Sequence, residues 1–398
     1  MKKILIIGAG YLQHFLIKKA KEMGYYTLSV DADPNAIGFR FSDKYAVINI
    51  VDEDACLKFA MDEHIDGVLT AATDYGVLTA SYIADKMGLP GLNYESAKLI
   101  KNKYLVRKCL FENKVDDTEQ AYEVDSTTDI KKISKQLIYP VMVKPCDGSG
   151  SRGASRVDKA ENFENACKYA MAGSITHRAE IESFILGLEY GAESLVVNGE
   201  VHVLGIMKKW MTEPPYYAEL GHAIPCGLSD DLVNKIKDCV SNAIKALNVN
   251  HGSVNMDMLI TNEGKVHIID IGARMGGNMI GPCIIPYATG IDYMGLMLKA
   301  AVGEKVTFDG MSGLPTVSRL LAFPQGIVKT LPDFNKIEKD YGVEIYHHIK
   351  LGDEINEYQT NLDGCGYIIV KDKDFNKAIT IADEVLTIIR ETIFEEQK

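Results

Sequence analysis

Lys144 closes the apolar run Val141-Met142-Val143, and Gly148, Ser149, Gly150, Ser151 and Gly153 follow close behind it. Glycines let successive backbone N–H groups turn toward phosphate oxygens, serine hydroxyls add donors, and a lysine supplies a point charge. This is the composition of a phosphate cradle, although a surface hairpin draws on the same residue types. It is not a Walker loop, because the lysine precedes the glycines and no GK[ST] follows. Further on, Asp257 in VNMDMLI and Asp270 in HIIDIGARMGGN each interrupt an apolar strand pattern. A carboxylate on the inward face of a strand is costly unless it is paired or bound to a cation, and two on neighbouring strands could share hard cations through their oxygens. Either could instead be an outward-facing acid at a strand end, but metal binding is the favoured reading of the pair. Arg274, four residues past Asp270 and followed by Gly276 and Gly277, is placed to hold an anionic substrate or a transferring phosphate.

A second glycine turn, ILIIGAGYLQ, raises a different chemistry. A strand running into Gly8 and Gly10, with Asp31 at the end of a following strand, is part of a dinucleotide fingerprint. The third glycine of that fingerprint, which lets helix pack closely on strand, is Gln13 here. Asp31, just ahead of Pro34, serves equally well in turn or capping chemistry. A nicotinamide-dependent oxidoreductase is therefore one alternative; a substrate carboxylate or phosphate at the helix N-terminus is the expected ligand of Gly8 and Gly10 if they bind anything. Thr73 and Asp74 end a strand of the same unit, where open parallel sheets present ligand-contacting loops. His222 in ELGHAIP is either a substrate contact or a partly buried histidine with a local partner.

The elements that must position these residues change character along the chain. Through residue 92, short apolar runs at 4–7, 27–30, 45–50 and 67–70 alternate with helical stretches such as 12–23 and 55–63. That alternation predicts a parallel sheet with helices on both faces. GLPGLN punctuates its end, and residues 94–113 read as one or two lysine-rich helices. From residue 139 the pattern shifts to separated strands and turns, an α+β region in which Asn198-Gly199 between two apolar runs signals a hairpin. A helix is expected over 230–247, a strand pair at VNMDMLI and KVHIIDI, and an amphipathic helix from 375 to about 395. The units are 1–93, 94–304 and 305–398, the last a small third domain or a flap completing the second.

At 398 residues the chain exceeds what one hydrophobic core organises. Its 43 basic and 55 acidic residues, net −12, argue against a general binder of nucleic acid or anionic membrane and leave small molecules as the expected partners. Eight cysteines without a CxxC pair point to reduced thiols and a cytoplasmic setting. No apolar run reaches the ~18 residues of a membrane span.

Taken in order, these parts resemble the ATP-grasp superfamily of ATP-dependent carboxylate–amine ligases, which includes D-alanine–D-alanine ligase, biotin carboxylase, L-amino acid ligases and phosphoribosylglycinamide synthetase. The resemblance implies a Rossmann-like N-terminal domain (1–93), an ATP-grasp domain (94–304, with a nucleotide lobe at about 115–190 and a large lobe at about 191–304) and a small β-rich C-terminal subdomain (305–398). IKNKYLVRKCL and YPVMVKPCDGSGSRG are similar to the family's nucleotide-contacting helix and glycine loop, implying that Lys103 and Lys144 contact ATP phosphates. IESFILGLE resembles the hinge, with adenine at Ser183, Ile185 and Glu182 and ribose at Glu189. One of Lys208 and Lys209, with Lys208 preferred, is expected to reach the γ-phosphate. IIDIGAR resembles the metal strand, where Asp270 and Gly272 stand in place of the usual glutamate and asparagine, Asn278 or water substituting for the missing amide. Asp257 and Asp270 would then hold Mg2+ or Mn2+.

The GAR-glycine variant and PPYYAELGHAIPC resemble the L-amino-acid-ligase-like branch. The implied reaction is attack of a carboxylate on the γ-phosphate, giving an acyl phosphate and ADP, followed by attack of an amine. Lys144 and Arg274 are its expected catalytic charges, and a homodimer is common among such enzymes. A purine-pathway ligase like phosphoribosylglycinamide synthetase is the alternative within the superfamily; a nucleotide-binding module without catalysis is another outside it.

Overall fold

The computed structural model describes residues 1–118, 120–148, 150, 152–214, 216–310 and 312–395. Strands β1 (Lys3–Ile7), β2 (Tyr26–Asp31), β3 (Lys44–Val47) and β4 (Gly67–Thr70) form a parallel sheet in the order β3-β2-β1-β4. Both faces of β1 are covered, which is why its sequence is continuously apolar rather than alternating. Leu5 and Ile7 pack with Leu28, Val30 and Ile83, while Ile4 and Ile6 pack with Leu16 and Ile17 of helix Gln13–Glu22. The second of these cores also takes in Tyr293, Met297 and Leu298 of helix Tyr293–Ala301 and Leu195 and Met207 of the large sheet. One continuous apolar core thus fixes the N-terminal sheet against the rest of the chain.

A second sheet contains β5 (Ala121–Val124), β6 (Val141–Pro145), β7 (Ser155–Val157) and β8 (Ala179–Ser183), ordered β5-β8-β6-β7 and antiparallel. Period-two alternation divides its faces. Val141, Val143, Ala179 and Ile181 pack on Phe163, Cys167 and Ala170 of helix Phe163–Ala172. Lys144, Glu180 and Glu182 are left on the other face.

The large sheet has eight strands. β9 (Leu188–Val197) and β10 (Glu200–Met211) are joined by the expected Asn198-Gly199 turn, both residues at positive φ (51° and 83°). β11 (Glu219–Ile224), β12 (Gly252–Ile260), β13 (Val266–Gly272) and β14 (Thr316–Leu320) follow, with two further strands, Val343–His347 and Gly366–Lys371, beyond β14. Helix Asp230–Ala246 covers one stretch of this sheet and helix Phe375–Phe394 another. Because β14 pairs with β11, the sheet runs straight across the boundary expected at residue 304; the C-terminal segment extends the large lobe. Among the described residues no helix is long and apolar enough to cross a membrane.

Candidate active site

Two stitches dock the N-terminal sheet onto the large one. Beyond β4, Ala71 pairs with Met275 as an isolated parallel bridge, and the Ala72 N–H donates to the Met275 carbonyl at 3.0 Å. Asp74 then meets Arg274: Nη2 donates to Oδ2 at 3.1 Å, and Nε lies 2.9 Å from Oδ1. Burial disfavours charge on Arg274, but Asp74 outweighs it and keeps the guanidinium protonated. Thr73, Asp74, Gly150, His222, Asp257, Asp270, Arg274 and Asn278 all line one cleft of about 280 Å³, the lower end of the range for small-molecule sites.

On the cleft floor, antiparallel β12 and β13 set Asp257 directly opposite Asp270. Their carboxylates turn to different lysines. Asp270 accepts from Lys103 Nζ, while Asp257 Oδ1 lies 2.9 Å from Lys209 Nζ. Lys209 also lies 2.5 Å from Glu189 and 2.6 Å from Glu219. Burial alone would discharge this ammonium, but Asp257, Glu189 and Glu219 together raise its pKa well above the usual value. Burial pushes Glu189 up to about 7 against the pull of Lys209, whereas at Glu219 burial is outweighed by Lys209 and His222 and the carboxyl stays below the usual range. Oxygens of Glu189, Glu219 and Asp257 all lie within 4.8 Å of one another. Hard oxygen donors of this kind suit Mg2+ or Mn2+; Asp257 belongs to the group, whereas Asp270, the other ligand that the resemblance implied, is turned to Lys103 and lies outside it.

Lys208 is corrected by this geometry. It lies on the opposite face of β10, its ammonium 5.2 Å from the centre of the Trp210 ring, and Lys209 is the cleft lysine. Glu219 was not singled out in the sequence, nor were Asn361 and Tyr367, which the C-terminal segment brings over the cleft. Asn361 donates to Glu219 Oε2 at 3.0 Å, and Tyr367 donates to Asn278 Oδ1 at 3.3 Å. Asn278 gives its own amide N–H to Glu219 rather than to Asp270. Gly272 has a spatial reason: a Cβ there would lie 2.9 Å from Asp74 Oδ1 and 3.0 Å from Arg274 Cζ. The interdomain ion pair fills the place of the side chain common in the resembled pattern.

On the nucleotide lobe, Lys144 Nζ lies 2.6 Å from Glu182 Oε1, 2.9 Å from the Ile269 carbonyl and 3.6 Å from Glu180. Glu182 is held in turn by Arg107, whose Nε donates to Oε2 at 2.9 Å. The loop after Lys144 folds back on Pro145, which a Cβ at Gly153 would approach to 2.7 Å, and carries Gly148 beside it and Gly150 to the cleft. Ser149 and Ser151 lie outside the described residues. Ser183 and Ile185 are half-buried where β8 passes toward β9.

The first glycine turn is closed. The Gln13 side chain lies over it, with a Cβ at Gly8 3.3 Å and at Gly10 2.9 Å from Gln13 atoms, and its amide donates to the Ala71 carbonyl at 2.6 Å. Asp31 accepts the Ala9 N–H at 2.8 Å, which is turn chemistry. Gly8 and Gly10 do not line the cleft, so their expected role as substrate contacts is corrected: the side chain in place of the third glycine takes the space a ligand would need.

Fold and cleft together have the form of an ATP-grasp enzyme. A model of the ATP-grasp domain matches residues 137–282, and one of the L-amino acid ligase C-terminal domain 2 matches residues 319–392. The solved L-amino acid ligase of Bacillus licheniformis superposes with a TM-score of 0.84 at 21% identity, covering 100% of this chain and 99% of that one. Phosphoribosylglycinamide synthetase of Anaerococcus prevotii gives 0.77 at 26% identity, covering 99% and 100%. The uncharacterized protein y4rH of Sinorhizobium fredii is 24% identical over 378 residues, 92% of this chain and 77% of that one. The chain thus carries an ATP-grasp domain and, beyond it, a segment like the C-terminal domain of L-amino acid ligases, within a fold shared with C–N bond-forming ligases.

Proposed function

We propose that this enzyme activates the carboxylate of an amino acid with ATP as an acyl phosphate and passes the acyl group to an amine, releasing ADP and phosphate. The observation that carries the reading is the sharing of one cleft by Asp257 and Asp270, the Arg274–Asp74 pair and the Lys209–Glu219–His222 group, with the loop after Lys144 reaching it at Gly150. Lys144, Lys103 and the loop supply charge and donors for a triphosphate. Mg2+ held by Asp257 and Asp270, with Glu189 or Glu219 in reach, would neutralise the oxygens of the transferring phosphoryl group. Arg274, fixed by Asp74 beside Asp270, is placed to steady the substrate carboxylate and the charge that develops on it. Glu219, ionised and adjoining His222, offers the α-ammonium of an amino acid a counter-charge. Closure of the Gly148–Gly153 loop would exclude water from a hydrolysable acyl phosphate.

The match to an L-amino acid ligase C-terminal domain favours amino acid substrates. The purine-pathway alternative needs a site for a ribose 5-phosphate, and the filled Gly8–Gln13 turn offers none. The test is ADP release from MgATP over a panel of L-amino acids, offered singly and in pairs, with mass analysis of products. Release stimulated by a pair, with a product one water lighter than its sum, is the expected result; no stimulation by any carboxylate and amine would overturn the reading.

A further inference from the structure

Glu180 has no part in the mechanism above, yet it is the most confined carboxyl of the nucleotide lobe. It is 1% exposed, and neither of its oxygens has a hydrogen-bond partner. In the β6–β8 register it stands directly opposite Lys144, and its carboxylate lies 3.6 Å from the ammonium. Lys144 spends its shorter contacts on Glu182 and the Ile269 carbonyl. On the face of β8 away from helix Phe163–Ala172, the neighbouring elements present charged or titratable groups: Lys144 and Cys146 from β6 and its end, Glu123 from β5, Lys103 and Arg107 from helix Lys103–Glu112, Asp270 from β13, and Glu182 from its own strand. Cys146 is silent near neutrality, because burial holds its thiol far above the ordinary range.

An ionised Glu180 would claim Lys144 and set a negative charge beside a bound triphosphate. A protonated Glu180 needs no counter-ion and removes one of the two carboxylates that compete with a triphosphate for Lys144. We propose that Glu180 is a proton-bearing gate on Lys144, so that nucleotide binding holds one proton on its carboxyl. In the binding step that proton comes from solvent wherever free Glu180 is ionised, and no other bond changes. Burial, which raises the Glu180 pKa against the pull of Lys144, favours the protonated form.

The inference rests on the ATP reading and gives it a pH signature. By linkage, a group that binds its proton more tightly in the complex makes affinity fall as pH rises through its titration, by up to tenfold per pH unit. The experiment measures the Kd of a non-hydrolysable MgATP analogue between pH 7.5 and 9.5, where the phosphates are fully ionised. Expected for the wild type is an affinity that weakens as pH rises, with proton uptake on binding, and for Glu180→Gln an affinity that stays at the tight, low-pH value throughout. Calorimetry of the wild type in buffers of different ionisation enthalpy reads the proton directly and needs no variant. A flat wild-type profile with no proton uptake, or a Glu180→Gln protein that keeps the wild-type slope, overturns the gate. No analogue binding at any pH would instead sink the ATP reading beneath it.

Discussion

Two acidic clusters in this molecule have similar donor sets and opposite fates. Glu189, Glu219 and Asp257 gather in the cleft; Asp116, Asp117 and His267 gather near the start of β13. At the second, Asp116 is saturated. Its Oδ1 accepts from the Thr118 N–H (2.9 Å) and hydroxyl (2.6 Å), and its Oδ2 from Arg107 Nη1 (2.9 Å) and the Ile268 N–H (3.2 Å). Four donors fill what a carboxylate can accept. In the cleft, by contrast, the triad shares one lysine ammonium, a single charge that a metal could replace, and only Glu219 has further side-chain amide donors, from Asn278 and Asn361. Residue type does not separate a ligand site from a structural knot; what separates them is whether the lone pairs are spent on backbone and arginine or largely on one shared ammonium.

The sharpest break of that comparison is in the cleft. Asp257→Asn and Asp270→Asn should each lower ATP turnover by about 10³-fold or more, since each removes charge from the transferring phosphoryl group, with thermal unfolding little changed. Turnover within tenfold of wild type in both variants would refute the metal assignment. Next in size is Asp116→Asn. It leaves the Arg107 charge buried with one partner fewer, and loss of one partner of a buried pair costs about 3 kcal/mol. Burial opposes ionisation of Asp116, but His267 and Arg107 outweigh it and depress its folded pKa. Its stabilisation is therefore complete above the unfolded carboxylate value, about 3.9, and is lost as pH falls below it toward the folded value. The separation between the denaturant midpoints of the two proteins should be full at pH 7 and narrow progressively as pH falls below about 4; equal separation at pH 7 and pH 2 would remove Asp116 from the account. Glu189→Gln comes third: as a ribose contact rather than a metal ligand, it should weaken nucleotide affinity by about tenfold with little change in kcat, and a fall in kcat like that of Asp257→Asn would place it with the metal instead.

The sequence made some of these positions legible and hid others for definite reasons. Asp257 and Asp270 stood out because an acid inside an apolar strand is costly, and the strands were readable from their TNEG turn. The Lys208–Lys209 choice failed because β10 shifts register between Val203 and Gly205, so alternation counted from the Asn198-Gly199 turn loses its phase. Glu219 was hidden for a related reason: β10 and β11 pair irregularly at Trp210–Met211, and nothing in its spacing tied it to Glu189 on β9. His222, already noted three residues on, was the only local signal. Gln13 was read correctly as a missing glycine, but that its amide would bridge to Ala71 depends on contacts far apart in sequence. Asn361 and Tyr367 reach the cleft only because the C-terminal segment joins the large sheet, a pairing with no sequence mark comparable to a glycine turn.

The smallest expected effect decides whether the second cluster is structural. Asp117 and His267 are the two members that a metal would need and that the fold uses least. Asp117 meets Lys265 at 2.5 Å with both side chains more than half exposed, and surface pairs of this kind contribute little. His267 Nδ1 lies 3.5 Å from Asp116 and 3.7 Å from Asp117, too far for strong hydrogen bonds. Asp117→Asn should therefore change stability by less than about 1 kcal/mol, His267→Gln by more, because buried His267 helps hold Asp116 ionised, and neither should alter the Mg2+ dependence of turnover. Stabilisation of the wild type by Zn2+ or Mn2+ that disappears in either variant would show that lone pairs remain to be filled at Asp116, and the distinction between the two clusters would fail.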